Sequence, residues 1–423
     1  MAQRTPLPTR LHMIELKQQG LPLAQIAQQL RLSLSCIKKL WRRFRHHGPR
    51  GLQPLSCCPK TSHPQQTPEA VRKLMVQIKR AHPHWGAQFI QGELCRRHAQ
   101  RIPHRRTIER FLSHFPDLPK RRYQKRAPLS DPRRATRLHQ LWQMDFKVNH
   151  RFPCASHRGS FLNIRDMAST LSILTYTLPE GRAALSSQEA LGVCRLAFTQ
   201  WGLVPEAIRT DHGACFCAPA WDSFPTDFTL YLWGLGVEHE LIPVRRPAHN
   251  GGIERDQRTF SENFLADYPF HGHPQLARDA QAFGHFRNRF VPSRSVRCQG
   301  QTPWATAQHL HCQAGTYTPE REAKLFEVQR IYDKLASLRW QRTVDGWGYI
   351  TLGHYKYYVG RAARRQAVYL HFDRKTLEVV VDTGQHEDLK RWPIRGISYP
   401  DIVKEQKLER KLKGHWWSRK QAA

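Results

Sequence analysis

Three short stretches decide how the middle of this chain folds: residues 142–146 read WQMDF, residues 209–213 read RTDHG, and residues 250–255 read NGGIER. The first stretch is predicted to lie in a β-strand, where a free carboxylate at Asp145 costs several kcal/mol unless a partner offsets it. Asp211 stands where the second stretch ends a strand, and Glu254 stands in the first turns of a helix. Since ligands bind at strand ends in open α/β sheets, these three acids mark a candidate site.

The segments around these stretches predict an α/β layer fold with a mixed sheet. The strands are expected at residues 142–147, 161–165, 172–178, 207–210 and 237–242. Helices are expected over residues 187–201 and 228–235, and a long helix is expected to begin near Gly252.

Each acid also has a structural explanation. In that explanation, Asp145 is a buried acid with a polar partner and Asp211 stabilises a turn. Glu254 is then a surface residue that pairs with Arg258 one helical turn later, at i+4. Taken together, the three carboxylates favour phosphodiester chemistry. Two metal ions about 3.5–4 Å apart can stabilise both the attacking and the leaving oxygen. Mg²⁺ prefers hard oxygen ligands and keeps several waters, so a few carboxylates are enough to hold it.

Residues 1–50 are predicted to form a helix-turn-helix DNA-binding unit. Apolar residues recur at helical spacing in three segments, and residues 31–33 form a short turn before the third. That third segment is apolar on one side and basic on the other, where it carries Lys38, Lys39, Arg42 and Arg43. A basic helix after a tight turn is typical of a recognition helix. The alternative is an ordinary three-helix bundle with a solvated charged face.

Two further N-terminal regions are expected to contact DNA. Residues 67–115 predict a second helix-turn-helix-like unit, in which Arg105 and Arg106 precede the last helix. Residues 116–137 are expected to form a basic linker. This linker either lies along DNA phosphates or is a merely solvated connection. The residues in it that are expected to contact DNA are Arg121, Arg122 and Arg126.

The last third of the chain changes character again. Five short strands at 338–344, 347–352, 354–359, 367–372 and 377–381 predict a small β-barrel within residues 335–400. Residues 401–423 are expected to be a basic tail.

The charge of the chain indicates its partner. The formal net charge is +33, and the basic residues are spread along the sequence among aromatic ones. Such an excess opposes compaction and suits a polyanion, so DNA or RNA is the expected partner. No apolar run is long enough for a membrane span, and a cytoplasmic location is expected.

These motifs together resemble a known family. Residues 141–307 look like the catalytic core shared by retroviral integrases and many bacterial insertion-sequence transposases. Trp142 followed by Asp145 is similar to the first motif of that core, residues 210–213 to the second, and residues 250–255 to the third. Asn288 and residues 300–303 (GQTP) resemble its end, and the strands at 368–373 and 379–382 resemble the C-terminal domain of phage-Mu-type transposases.

The resemblance implies a ribonuclease-H-like core over residues 138–310 with a mixed five-stranded sheet. It implies that Asp145, Asp211 and Glu254 are the catalytic residues and the ligands of two Mg²⁺ or Mn²⁺ ions, and that Arg255 and Arg258 contact phosphates. The interval before Glu254 is long for the family, which predicts an inserted loop at residues 215–226.

The function implied is that of a DNA transposase, which cleaves and joins double-stranded DNA at the terminal inverted repeats of an insertion sequence and at a target. It would act as a homodimer or larger oligomer on DNA, in the cytoplasm of a bacterium and at its nucleoid. One alternative is a catalytically inactive DNA-binding regulator or target-selection factor derived from a transposase. A ribonuclease-H-like nuclease is a third possibility, which the helix-turn-helix units disfavour.

Overall fold

The protein is described here by a computed structural model that covers residues 5–54, 66–119, 135–152, 157–217, 223–243, 251–382 and 388–404. The chain divides into two compact units between residues 66 and 67. Among the described residues, no helix is both long and apolar enough to cross a membrane.

The first unit is a three-helix bundle. Its helices are α1 (Leu7–Gln18), α2 (Leu23–Gln29) and α3 (Leu34–His47), followed by a short 3-10 turn at Gly48–Leu52. Met13, Ile26 and Ile37 are fully buried between the helices. The Ser33 hydroxyl accepts the N–H of Cys36 at 3.2 Å and so caps the start of α3 after the tight turn. The three predicted helices and the turn between the last two are confirmed.

The second unit begins with three more helices, α4 (Glu69–Ala81), α5 (Ala87–Arg96) and α6 (Arg105–Leu112). Their apolar faces share one hydrophobic core with two later helices of the same unit. The Trp85 ring stacks on Phe286, and its indole N–H donates to the carbonyl of Asn263 at 2.7 Å. A Cβ on Gly92 would lie 2.8 Å from the carbonyl oxygen of Phe290, so the backbones approach closely there. The boundary between residues 67–115 and the core stays a prediction.

A mixed five-stranded sheet forms the centre of the second unit, as predicted. The strands up to this point are β1 (Leu141–Arg151), β2 (Arg158–Asp166), β3 (Ser172–Thr177), β4 (Leu203–Val204), β5 (Ala207–Thr210) and β6 (Glu238–Leu241). The sheet has the order β3-β2-β1-β5-β6, in which β1, β2 and β3 are antiparallel while β5 and β6 run parallel to β1. The short strand β4 lies outside this sheet and pairs with β7 (Gly315–Thr316).

Helices cover both faces of the sheet. They are α7 (Ser187–Trp201), α8 (Asp227–Gly234), α9 (Gly251–Phe260), α10 (His273–Phe290) and α11 (Pro303–Gln308). Trp142 and Met144 of β1 pack in the core that contains α7 and α8, whereas Phe161 of β2 packs in the core that contains α10. A π-helical turn at Ser261–Leu265 follows α9, and such turns are frequent near functional sites.

The C-terminal part contains the five predicted strands and one more. Its elements are α12 (Glu322–Leu325), α13 (Val328–Ala336), β8 (Arg339–Thr343), β9 (Tyr349–Leu352), β10 (Tyr355–Tyr358), β11 (Ala367–Asp373), β12 (Glu378–Asp382), β13 (Asp388–Pro393) and α14 (Tyr399–Val403). This part packs on α8 in the same hydrophobic core as the central sheet.

The predicted small β-barrel is not shown by the described residues, whose sheets do not close. They give a four-stranded sheet of order β13-β12-β11-β8 and a separate hairpin of β9 and β10. The side chain of Arg342 on β8 donates to the carbonyl of Thr351 on β9 at 3.1 Å.

Candidate functional site

The sheet places the two aspartates on neighbouring strands. Strands β1 and β5 are adjacent and parallel, and Gln143 pairs with Arg209. Asp145 lies two residues beyond this pair on β1, and Asp211 lies two residues beyond it, directly after the last residue of β5. The convergence of their carboxyl groups stays a prediction.

Asp145 faces the helix that carries Glu254. Side chains alternate along β1, so Asp145 points away from the core that holds Trp142 and Met144. Its Oδ2 accepts a hydrogen bond of 2.8 Å from Gln257 Nε2 on α9. The same Nε2 donates to the carbonyl of Phe146 at 3.0 Å, while Oδ1 of Asp145 accepts the N–H of Phe146 at 2.9 Å. These bonds offset the cost of a half-buried carboxylate and fix its orientation.

A turn orients Asp211. Its Oδ1 accepts the N–H of Gly213 at 3.0 Å, and a Cβ on Gly213 would lie 3.0 Å from that same oxygen. Glycine therefore permits the turn that the sequence motif implies. The loop then folds back on β1, because the ring of Phe216 packs 5.4 Å from that of Phe146. His212 Nε2 donates to the carbonyl of Ile242 at 2.7 Å, which holds the loop against the strand after β6.

Glu254 is exposed on α9, and a buried ion network fixes that helix. Asp256 pairs with Arg287 and lies 3.6 Å from Arg165, which also donates to the carbonyl of Gly252. Arg165 is buried, and its burial lowers the pKa of its guanidinium while Asp256 raises it. Glu254 stands one helical turn before Gln257, roughly 4.5 Å along the axis. Glu254 thus lies on the same helix as the residue that bonds Asp145.

The three carboxylates do not form a closed metal cluster in this structure. Among the described residues, no group of three or more His, Cys, Asp or Glu side chains is close enough to hold an ion. Asp145 lies on β1 and Asp211 directly after the neighbouring strand β5, and Glu254 lies on the exposed surface of α9. All three offer the hard oxygens that Mg²⁺ prefers, so the donor chemistry fits even though the cluster is open.

A fourth acid, Asp166, is structural. It is completely buried at the end of β2, and burial raises the pKa of its carboxyl group. Its oxygens accept the N–H of His139 at 3.0 Å and both the N–H and the hydroxyl of Ser169, at 2.7 and 2.6 Å. A carboxylate satisfied in this way has no access to a ligand.

A basic cleft of about 1040 Å³ opens beside Glu254. It lies between α5, α6 and α9, and Leu118 and Pro119, where the basic linker begins, also line it. Its charged lining residues are Lys79, Arg105, Arg165, Arg255, Arg258, Arg287, Arg294, Glu109, Glu254, Asp256 and Glu262. Cations outnumber acids there, which suits a phosphate backbone. Two of these cations, Arg255 and Arg258, are exposed, as phosphate contacts require.

The predicted DNA-contacting residues of the N-terminal helices divide into two groups. On α3, Lys38, Lys39 and Arg42 are exposed, whereas Arg43 is partly buried and donates to the carbonyl of Gln53 at 2.8 Å. At the start of α6, Arg106 is exposed and Arg105 pairs with Glu109 at 3.3 Å in the cleft.

The remaining predicted contacts, Arg121, Arg122 and Arg126, lie outside the described residues, as do part of the predicted loop at 215–226 and most of the basic tail.

Sequence reasoning missed Gln257 and the Arg165–Asp256–Arg287 network. Gln257 stands at i+3 from Glu254, so helical spacing alone would have placed it on a neighbouring part of the same face. The network joins three segments that are distant in the sequence, and no local sequence pattern predicts it.

Two family models match the N-terminal helices of this chain. Residues 9–56 match the helix-turn-helix domain family, and residues 36–112 match the homeodomain-like domain family. No curated protein matches the sequence. A chain of the simian T-cell lymphotropic virus intasome is similar at 16% identity and a TM-score of 0.32, over 59% of this chain and 78% of that one.

Catalytic core domains of retroviral integrases are also similar. That of HTLV-2 integrase, solved with magnesium, has 16% identity and a TM-score of 0.29, over 40% of this chain and 96% of that one. That of BIV integrase has 15% identity and a TM-score of 0.28, over 40% of this chain and 94% of that one.

Proposed function

We propose that this protein is a DNA transposase, which cleaves and joins DNA at the ends of an insertion sequence. The observation that carries the proposal is that Asp145 on β1 and Asp211 directly after β5 lie on neighbouring parallel strands, and that Gln257 on the helix of Glu254 donates to Asp145. Carboxylates on neighbouring strands, together with a basic cleft that includes Glu254, suit a phosphodiester substrate.

The division of the chain supports the same function. A helix-turn-helix unit with exposed cations on α3, among them Lys38, Lys39 and Arg42, would read the terminal inverted repeats in the major groove. The cleft lined by Arg255 and Arg258 would hold the phosphate backbone that leads to the acids. The protein would act as a homodimer or larger oligomer on DNA, in the cytoplasm and at the nucleoid of a bacterium.

Asp145, Asp211 and Glu254 would hold two Mg²⁺ or Mn²⁺ ions when DNA is bound. The ions would supply charge stabilisation for the attacking and leaving oxygens of an in-line displacement. Gln257 would keep the Asp145 carboxylate aimed at the site, and the turn at Gly213 would do the same for Asp211. Catalytic geometry is often loose before the substrate binds, so Glu254 would close in as DNA fills the cleft.

An inactive DNA-binding regulator is the second candidate. It would share the helix-turn-helix unit and the basic cleft, but it would have no need for oriented carboxylates. The hydrogen bond from Gln257 to Asp145 and the turn at Asp211 favour an active centre over that candidate.

The test is a strand-transfer assay with the full-length protein. Linear DNA that carries the sequences flanking the gene is incubated with a supercoiled target and either Mg²⁺ or Mn²⁺. We expect joined products with either ion and none in EDTA. Tight binding to the flanking DNA without cleavage or joining under any of these conditions would instead establish the regulator.

Gln257→Ala is expected to lower the strand-transfer rate and to raise the Mg²⁺ concentration needed for half-maximal activity, by about 10-fold or more. The reason is that residues which orient a metal ligand contribute roughly 10- to 100-fold to metal affinity or activity. The measurement is a magnesium titration of the initial rate, together with the thermal unfolding midpoint.

The matched control for Gln257→Ala is Gln275→Ala, which removes a similar bond of 2.7 Å to Asp279, an acid that is not one of the proposed metal ligands. It should leave the magnesium requirement unchanged. If both variants shift that requirement equally, or if Gln257→Ala changes only the unfolding midpoint, Gln257 does not position Asp145.

A further inference from the structure

The side chain of Trp347 is unusually exposed. Its relative exposure is 71%, which is the highest of any aromatic residue in the part of the chain that the structure describes. An indole carries one of the largest apolar surfaces of any side chain, so an exposed one offers a large area for contact with a partner.

The turn that carries Trp347 is held without help from the indole. One carboxylate oxygen of Asp345 accepts the backbone N–H groups of Trp347 and Tyr349, each at 2.9 Å. Gly348 has a φ of +89°, and its N–H bonds to the carbonyl of Asp345 at 3.1 Å. These bonds fix the backbone of the turn, and the Trp347 side chain lies in solvent.

Two partly exposed tyrosines lie on the hairpin that follows this turn. Tyr349 of β9 and Tyr358 of β10 are directly paired across the hairpin, and their ring centroids are 5.0 Å apart. Both are about two-fifths exposed, with values of 38% and 41%. We call Trp347, Tyr349 and Tyr358 the aromatic face.

Positive charge surrounds the aromatic face. Lys390 Nζ lies 4.8 Å from the centre of the Tyr358 ring, and Lys356 is exposed two positions before Tyr358 on the same strand. A Cβ on Gly348 would lie 2.9 Å from the backbone nitrogen of Arg361, so the turn packs directly against that exposed arginine. Between residues 345 and 365 the single acid is Asp345, whose carboxylate is engaged by backbone amides.

We propose that the aromatic face binds unpaired bases of single-stranded DNA, with Trp347 stacking on a base and the surrounding cations contacting phosphates. Aromatic side chains beside a basic surface are the general means of binding single strands, because every base has a π-face and every nucleotide carries a charge. The bases of an intact duplex are already stacked on one another and offer Trp347 no free face.

The charge distribution favours DNA over a protein partner. A protein partner would need an acidic surface with a pocket for the indole. Each nucleotide of a single strand supplies both a negative charge for the cations and a flat base for the indole. The proposal does not depend on the carboxylate chemistry proposed above, because no residue of the aromatic face lies among the acids or in their cleft. A protein without strand-transfer activity would still bind a single strand through this face.

The experiment measures binding of the full-length protein to a fluorescent oligothymidylate about 16 nucleotides long and to a duplex of equal length, at several salt concentrations. Trp347→Ala should weaken oligothymidylate binding about 5- to 100-fold and leave duplex binding nearly unchanged. Trp347→Phe should retain most of the affinity, since a phenyl ring still stacks. Lys356→Ala should lower the salt slope by roughly 0.7.

The control variant is Tyr369→Ala, which removes a comparably exposed aromatic side chain (45%) from β11 in the other sheet of the same region. It should bind like the wild type. The proposal is overturned if Trp347→Ala binds oligothymidylate as the wild type does, if it loses duplex and single-strand binding equally, or if Tyr369→Ala weakens binding as much. If Trp347→Ala binds oligothymidylate as tightly as the wild type, the aromatic face binds an acidic protein surface instead of single-stranded DNA.

Discussion

Strand transfer should fall by roughly 1000-fold or more when either Asp145 or Asp211 is replaced by Asn. The substitution keeps the size of the side chain and removes its charge. An amide does not offset the charge of a bound cation, and losing a few kcal/mol of charge stabilisation in the transition state costs about three factors of ten. The measurement is single-turnover joining of labelled DNA ends with Mg²⁺.

DNA binding should separate from catalysis in these two variants. Each substitution removes a negative charge close to the phosphates, so affinity for DNA should stay the same or rise. Asp333→Asn is the control, because Asp333 is an exposed acid on α13 that pairs with Arg374. Strand transfer that persists at the wild-type rate in Asp211→Asn, or in EDTA, would contradict the proposed chemistry.

Much of the fold follows from local pattern in the sequence. The pattern predicts the strands around Asp145 and Asp211, the helix α7 and the start of α9 within a few residues of their observed bounds. Apolar residues are frequent in β1, β5 and α7 because these elements lie in the core of the second unit. The mixed character of the sheet also follows from the order of its strands and helices.

What the sequence does not predict depends on interactions between distant segments. The shared core of Trp85 with Phe286 joins residues that are far apart in the chain, and neither residue's neighbours indicate the other. The barrel prediction rests on five evenly spaced strands, but spacing does not say which strands pair. The sequence does not predict strand β13, because its residues, DLKRWP, are mostly polar and end in proline.

The residues of the candidate site also divide into those that the sequence predicts and those that it does not. Asp145, Asp211 and Glu254 stand out because an acid at a strand end or a helix start follows a recognisable motif. The partner of Asp145 does not stand out, since a glutamine inside a helix is most often a solvated residue. The helix α9 carries both Gln257, which the sequence does not indicate, and Glu254, which it does, and Gln257 donates to Asp145. That Glu254 serves the same site stays a prediction.

Replacing Lys38, Lys39 and Arg42 together with Ala should weaken binding to the DNA that flanks the gene by about 100-fold or more. Binding to random duplex DNA should weaken much less. The three side chains are exposed on α3, which follows the tight turn of a helix-turn-helix unit, and hydrogen bonds to base edges are worth about 1–3 kcal/mol each. The measurement is a titration of the full-length protein on both DNAs at several salt concentrations.

The contrasting variant replaces Arg121, Arg122 and Arg126 with Ala. Binding to phosphates carries no sequence information, so this change should weaken binding to both DNAs about equally and reduce the salt slope by roughly one unit for each arginine that pairs with a phosphate. The full chain is needed for both variants, because α4–α6 bury their apolar faces against later helices of the second unit and a fragment ending near residue 115 would expose them. If the two triple variants lower specific and random binding in the same proportion, α3 does not read the DNA ends. Recognition of those ends would then have to reside in the cleft beside Glu254, where Arg255 and Arg258 are the first residues to replace.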